Sequence, residues 1–82
     1  MKKEFSYRIE YEVDKKTGQV MATIPELNHV SSFGDTFAEA EANVREAAFG
    51  YLEVLVKKQK SFPQPAFKTE GTYIKLFVPV IV

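Results

Sequence analysis

Carboxylate side chains are the residues of this sequence best suited to chemistry, because they bind divalent cations and transfer protons. Seven of the eleven Asp and Glu residues are the candidates, a central group and a pair near the N-terminus: Glu26, Asp35, Glu39, Glu41 and Glu46, together with Glu10 and Glu12. A metal-dependent nuclease needs carboxylates from different elements to converge on one or two cations about 3.5–4 Å apart. Whether these acids form such a site depends on the elements that carry them.

Three short strands are predicted in the N-terminal part of the chain. Residues 5–13 alternate apolar and polar side chains, which is typical of a half-buried strand. A polar loop ending in Gly18 predicts a hairpin with that glycine at positive φ, followed by a second strand that Pro25 terminates. A third strand spans residues 30–33, and we expect Gly34 in a turn with an unusual backbone conformation.

One long helix follows these strands. Thr36 and Glu39 have the spacing of a capping box, which predicts that Thr36 is the N-cap. Glu41 and Arg45, four residues apart, are expected to form an ion pair, and the prolines within residues 61–65 end the helix. A helical stripe of six apolar residues is predicted to face the sheet: Phe37, Ala40, Val44, Ala47, Tyr51 and Leu55.

A last strand over residues 73–80 completes a β-β-β-α-β order. This order predicts a single α+β domain over residues 1–82, with three antiparallel strands, a last edge strand and one long helix packed on one face. The same order begins the RNase H fold, but a nuclease of that kind needs an acid on the last strand, and its one charged residue here is Lys75. We therefore predict no catalytic residue, no metal ligand and no cofactor, with the lone His29 at the surface.

Composition narrows the class of protein. The 82 residues carry eleven basic and eleven acidic side chains, so bulk charge does not indicate a nucleic-acid or membrane surface. There is no cysteine, which excludes disulfides. Neither a signal peptide nor an apolar run of about 20 residues is present, and a cytoplasmic location is expected.

The second half of the helix is more apolar than packing on one sheet requires. Phe49, Leu52 and Val56 lie off the predicted sheet-facing stripe and form a second ridge, which predicts contact with another surface. A second copy of the chain is the expected occupant, as a homodimer or a dimer of dimers. Alternatively, the connector of residues 61–72 covers the ridge with Phe62 and Phe67.

With the elements placed, the chain resembles the HicB-like antitoxin family. The matching segments are the first strand "YRIEYEVD", the second-strand end "ATIPEL", and the helix start "GDTFAEAEANVREA". The resemblance implies a partial RNase H-like fold that has lost catalysis and serves as an antitoxin. It also implies a partner, a small RNA-cleaving toxin of the HicA type that the antitoxin binds and blocks.

Two departures from the family pattern bear on function. Many members carry a C-terminal DNA-binding segment, and the 82 residues here end after the last strand, so direct DNA binding is not expected. The turn that is Pro-Gly-Cys-like in the family is Asn28-His29-Val30, where Asn28 tolerates a left-handed backbone. Two alternatives stay open: a homo-oligomeric adaptor without a toxin, and a metal-dependent nuclease that uses Glu10 and the helix acids.

Overall fold

A computed structural model of the chain describes residues 2–63 and 70–79. Its elements are β1 (Lys2–Val13), β2 (Val20–Ile24), a 3₁₀ turn (Pro25–Leu27), β3 (Val30–Gly34), α1 (Phe37–Lys57) and β4 (Thr72–Pro79). The strands form one antiparallel sheet in the order β3-β2-β1-β4, with α1 on one face. The predicted α+β class, element order and edge position of the last strand are confirmed. Val80, predicted to end that strand, lies outside the described residues.

Strand β1 pairs with two strands in series along its length. Residues 2–9 pair with β4, and residues 10–13 pair with β2. The β1–β2 hairpin closes through Gly18, whose φ of 75° confirms the predicted positive value. This arrangement leaves the last four residues of β1 without a described strand on the β4 side.

The turn Pro25–Leu27 lies beside β1 beyond the point where β2 ends. The Glu26 Oε1 atom accepts a hydrogen bond from the Arg8 N–H at 3.0 Å, so a carboxylate takes the place of a backbone partner. Leu27 is fully buried in the core. The turn ends at Asn28, whose φ of 55° is the left-handed conformation that asparagine tolerates.

Helix α1 faces the sheet with a stripe that is rotated from the predicted one. The buried helix residues are Ala40, Val44, Ala48, Leu52 and Leu55. Phe37 is exposed, and Ala47 and Tyr51 are only half-buried, so these three lie at the margin of the buried stripe. Tyr51 nevertheless packs against the core, and the Phe37 ring contacts Tyr11 of β1, as the predicted stripe requires. The sequence offers two adjacent apolar stripes, and packing against the sheet decides which one is buried. The strands and the 3₁₀ turn complete the core with Tyr7, Ile9, Val20, Ala22, Ile24, Leu27, Ile74 and Leu76.

The start of α1 packs directly on the end of β3. The Thr36 hydroxyl accepts a hydrogen bond from the Glu39 N–H at 3.1 Å, which confirms Thr36 as the N-cap. Gly34 does not have a positive φ, so the expected unusual backbone was wrong. A Cβ atom at this position would instead lie 2.4 Å from the Ala40 nitrogen, so glycine is required by close approach of the helix backbone.

The segment after α1 returns to the N-terminal half of β1. The Phe62 ring packs edge-on against Phe5 with 5.7 Å between centroids, and the Tyr7 hydroxyl donates a hydrogen bond to the Pro63 carbonyl at 2.8 Å. Phe62 therefore adds to the core beside β1, whereas the alternative prediction had it covering the helix ridge. Phe67 lies outside the described residues.

Candidate interaction surface

The acidic residues are spread over both sides of the molecule. In β1, Glu10 and Glu12 alternate with buried Ile9 and half-buried Tyr11, so they lie on the face of the sheet opposite α1. Glu41 lies on the helix and accepts a hydrogen bond from the Tyr11 hydroxyl at 3.5 Å. Within residues 2–63 and 70–79, no three His, Cys, Asp or Glu side chains come together in a way that could hold a metal ion.

Two tyrosines carry shifted pKa values, and both shifts have a structural cause. Burial raises the pKa of Tyr7, and the nearby Glu26 carboxylate raises it further. Burial also raises the pKa of Tyr11, with a smaller contribution from Glu41, while Arg45 lowers it. Both shifts favour the neutral phenol, which suits hydrogen-bond donors at the edge of a core better than catalytic bases.

The predicted helix ridge is reduced by the rotation of α1. Leu52, assigned from the sequence to an exposed interface, is 0% exposed and belongs to the core, so that part of the prediction was wrong. The reason is helical spacing, because Leu52 follows buried Ala48 by four residues and therefore shares its face. Phe49 is 43% exposed and Val56 is half-buried, so these two residues remain on the flank of the helix nearer β4.

An arginine on the same flank donates a hydrogen bond to the outer edge of β4. Arg45 forms the predicted ion pair with Glu41 at 2.9 Å and donates a hydrogen bond to the Lys75 carbonyl. The Arg8 N–H points to Glu26, away from β4, and the backbone groups of Ser6, two residues earlier, point the same way. Lys75 is the β4 partner of Ser6, so the backbone groups of Lys75 point away from β1 and its carbonyl lies on the outer edge. Arg45 thus occupies one of the open backbone positions of this edge strand.

On the opposite flank, an asparagine donates a hydrogen bond to the outer edge of β3. The Asn43 side-chain amide donates a hydrogen bond to the Phe33 carbonyl at 2.7 Å. Strand β3 pairs only with β2 among the described strands. Side chains from the two flanks of helix α1 therefore make hydrogen bonds to both edge strands of the sheet.

The face of the sheet opposite α1 is uncovered within the described residues. Its cross-strand rows follow from the register: Glu4 with Phe77, Ser6 with Lys75, Arg8 with Tyr73, Glu10 with Thr23 and Ser31, and Glu12 with Met21 and Phe33. Phe33 is 53% exposed at one end of this face, and Phe77 is 55% exposed at the other. Sequence reasoning assigned no role to Phe33 or Met21, because only strand pairing places them beside Glu12.

An open depression of about 420 Å³ lies beside Phe33 and Met21. Its wall includes Glu12 and the β1–β2 turn, with Lys15 on one side. A second depression, also lined by Glu12 and Met21, continues toward Glu10. The end of the sheet is thus concave, and both depressions open to solvent.

None of the described helices is long and apolar enough to cross a membrane. The fold and its uncovered face define a small two-layer α+β module built around a twisted antiparallel sheet. Residues 7–72 match the family model described as HicB-like antitoxin of bacterial toxin–antitoxin systems. The match covers most of the sequence, and the chain belongs to this family.

A solved structure has the same fold. The N-terminal domain of the Burkholderia pseudomallei antitoxin HicB is 21% identical in sequence, with a TM-score of 0.62. The alignment covers 95% of this chain and 100% of that domain. No curated protein matches the chain.

Proposed function

We propose that this chain is a non-enzymatic antitoxin that neutralises a small RNA-cleaving toxin of the HicA type by direct association. The observation that carries the proposal is membership of the HicB-like antitoxin family over residues 7–72. Neutralisation by association needs an exposed, well-folded surface and no catalytic group. The uncovered sheet face with two exposed phenylalanines offers such a surface.

Loss of nuclease chemistry is part of the same proposal. The β-β-β-α-β order supports descent from an RNase H-like fold, and a nuclease of that fold would use converging carboxylates. Here Glu10 and Glu41 lie on different sides of the sheet, and β4 carries Lys75 in place of an acid. This distribution supports a non-enzymatic mode of action, and we propose separately that the protein acts in the cytoplasm.

The test of antitoxin function is co-expression with the small protein encoded by the neighbouring open reading frame. We expect the pair to co-purify, and growth arrest by the toxin to be relieved in proportion to the amount of this chain. A neighbour that neither co-purifies nor arrests growth would leave the adaptor function as the better description.

We also propose that the chain forms a homodimer or a dimer of dimers through the helix flank of Phe49 and Val56 beside the edge of β4. Exposed apolar side chains on a chain of zero net charge favour closed, symmetric association. Replacing Phe49 with Glu should shift sedimentation toward the monomer. Val54→Glu is the matched control, because Val54 is 46% exposed and lies about 140° from Phe49 around the helix axis. Equal sedimentation of wild type and Phe49→Glu would contradict this interface.

A further inference from the structure

One end of the helix-free sheet face combines exposed apolar and acidic side chains. The acidic–aromatic patch consists of Glu10, Glu12, Met21 and Phe33. Glu12, Met21 and Phe33 form one cross-strand row, and Glu10 lies two residues before Glu12 on the same face of β1. Strand β4 stops opposite Ile9, so no described strand flanks the two glutamates on that side.

Packing among the described residues does not explain the apolar part of the patch. Phe33 is 53% exposed although β3 could place any polar residue at this outward position. Its ring is next to Met21, which is half-buried, and the open depression begins at these two side chains. Aromatic and methionine side chains beside a concave surface are typical of the centre of a protein interface.

The acidic part of the patch makes no ion pair within the described residues, and the nearest cation on its strand face is Arg8, two residues before Glu10. Glu10 and Glu12 are both exposed, and within the described residues the ion pair of the molecule is Arg45 with Glu41, on the other side of the sheet. Lys15 borders the depression and offsets part of this charge. Two carboxylates on the same strand face repel each other, and a cationic partner would relieve that repulsion.

We propose that the acidic–aromatic patch docks the basic, RNA-facing surface of the toxin. This inference rests on the proposed antitoxin function and adds the surface that performs it. A protein that cleaves RNA must hold phosphates with lysine and arginine side chains. The same cations are complementary to Glu10 and Glu12, and their aliphatic stems pack against Phe33 and Met21. Docking here places a carboxylate-bearing surface where RNA would bind.

A second copy of the chain does not fit this patch. In a two-fold contact the same surface faces itself, so Glu10 and Glu12 of one copy would meet the same residues of the other. Four carboxylates would then share one interface, which is unfavourable. The carboxylates likewise disfavour an anionic membrane or a nucleic acid at this position.

The experiment measures binding of the purified small protein encoded by the neighbouring open reading frame. Phe33→Ser and Glu12→Lys should each raise its Kd by about tenfold or more, the size expected for a central interface residue. Wild-type binding should also weaken with added salt, and the Glu12→Lys variant should lose part of that dependence.

Matched controls lie at the other end of the same face. Phe77 is 55% exposed and Glu4 is exposed opposite it, so Phe77→Ser and Glu4→Lys repeat the chemical changes away from the patch. We expect both controls to bind within about twofold of wild type, as for residues outside an interface centre. Thermal unfolding midpoints of all four variants verify that each is folded.

The outcomes separate this inference from the antitoxin function itself. If wild type neutralises the neighbouring protein but Phe33→Ser and Glu12→Lys bind as well as wild type, the patch is wrong and the antitoxin function stands. A Phe33→Ser variant that changes the oligomeric state of the free chain would assign the patch to a second copy and overturn the inference. Absence of binding by wild type overturns both.

Discussion

The Asn43 side-chain amide lies 2.7 Å from the Phe33 carbonyl oxygen and fastens helix α1 to the outer edge of β3. Arg45 makes the corresponding contact to the Lys75 carbonyl on β4. Asn43 and Arg45 are two positions apart in the sequence, which places them about 200° apart around the helix. The two contacts therefore come from opposite flanks. Together they are consistent with the rotation at which the buried stripe faces the sheet, and they occupy one backbone position on each edge strand.

Replacing Asn43 with Ala removes the β3 contact, while the higher helix propensity of alanine offsets part of the loss. We expect the free energy of unfolding to fall by about 0.5–1.5 kcal/mol, the usual net value of one hydrogen bond. Glu46→Ala is the control, because Glu46 is exposed on the same helix and makes no hydrogen bond to a sheet edge within the described residues. Chemical denaturation measures both, and equal losses would mean that the Asn43 contact does not stabilise the fold.

Two glycines should respond in opposite directions to replacement by alanine. Gly34→Ala places a methyl group against the backbone of Ala40 and should destabilise the protein by about 1–3 kcal/mol. Gly50→Ala meets no atom within 4 Å in an exposed helix interior and should stabilise it by about 0.8–1 kcal/mol. Urea midpoints decide this, and a tolerated Gly34→Ala would contradict the close helix–strand approach.

The helix cap offers a local test. Thr36→Ala removes the acceptor for the Glu39 N–H and should lower the free energy of unfolding by about 0.5–2 kcal/mol. Thr36→Ser keeps the hydroxyl and should retain most of the stability. Coincident denaturation curves for Thr36→Ala and wild type would show that the cap contributes nothing.

Leu52 should behave as a core residue. Leu52→Ala is expected to cost about 2–5 kcal/mol of stability, because the side chain is fully buried between helix and sheet. Leu52→Glu should unfold the chain rather than dissociate an oligomer, since a buried unpaired charge is poorly tolerated. Circular dichroism distinguishes an unfolded chain from a folded one, and sedimentation shows whether a folded chain is monomeric. A folded, monomeric Leu52→Glu protein would show that Leu52 belongs to an exposed interface after all.

Tyr7 should make stability depend on alkaline pH. Its pKa is raised in the folded protein by burial and by Glu26, so the folded state binds the phenol proton more tightly than the unfolded chain. The resulting stabilisation is complete below the unfolded value of 10.0 and is lost as the pH rises above it. Tyr7→Phe should therefore flatten the decline in unfolding free energy measured from about pH 8 to about pH 11. A decline that is equally steep in the variant would exclude Tyr7 as its source.

Local signals in the sequence determined the elements and several of their ends. The alternation in β1 follows from the two-residue period of a strand, and the cap at Thr36 from the need of the first helical N–H groups for an acceptor. The left-handed backbone at Asn28 and the positive φ of Gly18 likewise depend on only a few neighbouring residues. These features could be predicted because each is decided within about one turn of chain.

The tertiary structure decided how these elements meet. Leu52 is buried because it shares a helix face with Ala48, and only packing on the sheet decides that this face, rather than the adjacent apolar stripe, turns inward. Gly34 is required because the helix backbone at Ala40, six residues later, lies close to it, and not because of its own backbone angles. Phe33 and Glu12 become neighbours only through the register of three strands. Such arrangements depend on packing between distant segments, so the candidate interaction surface emerges only when the chain is folded.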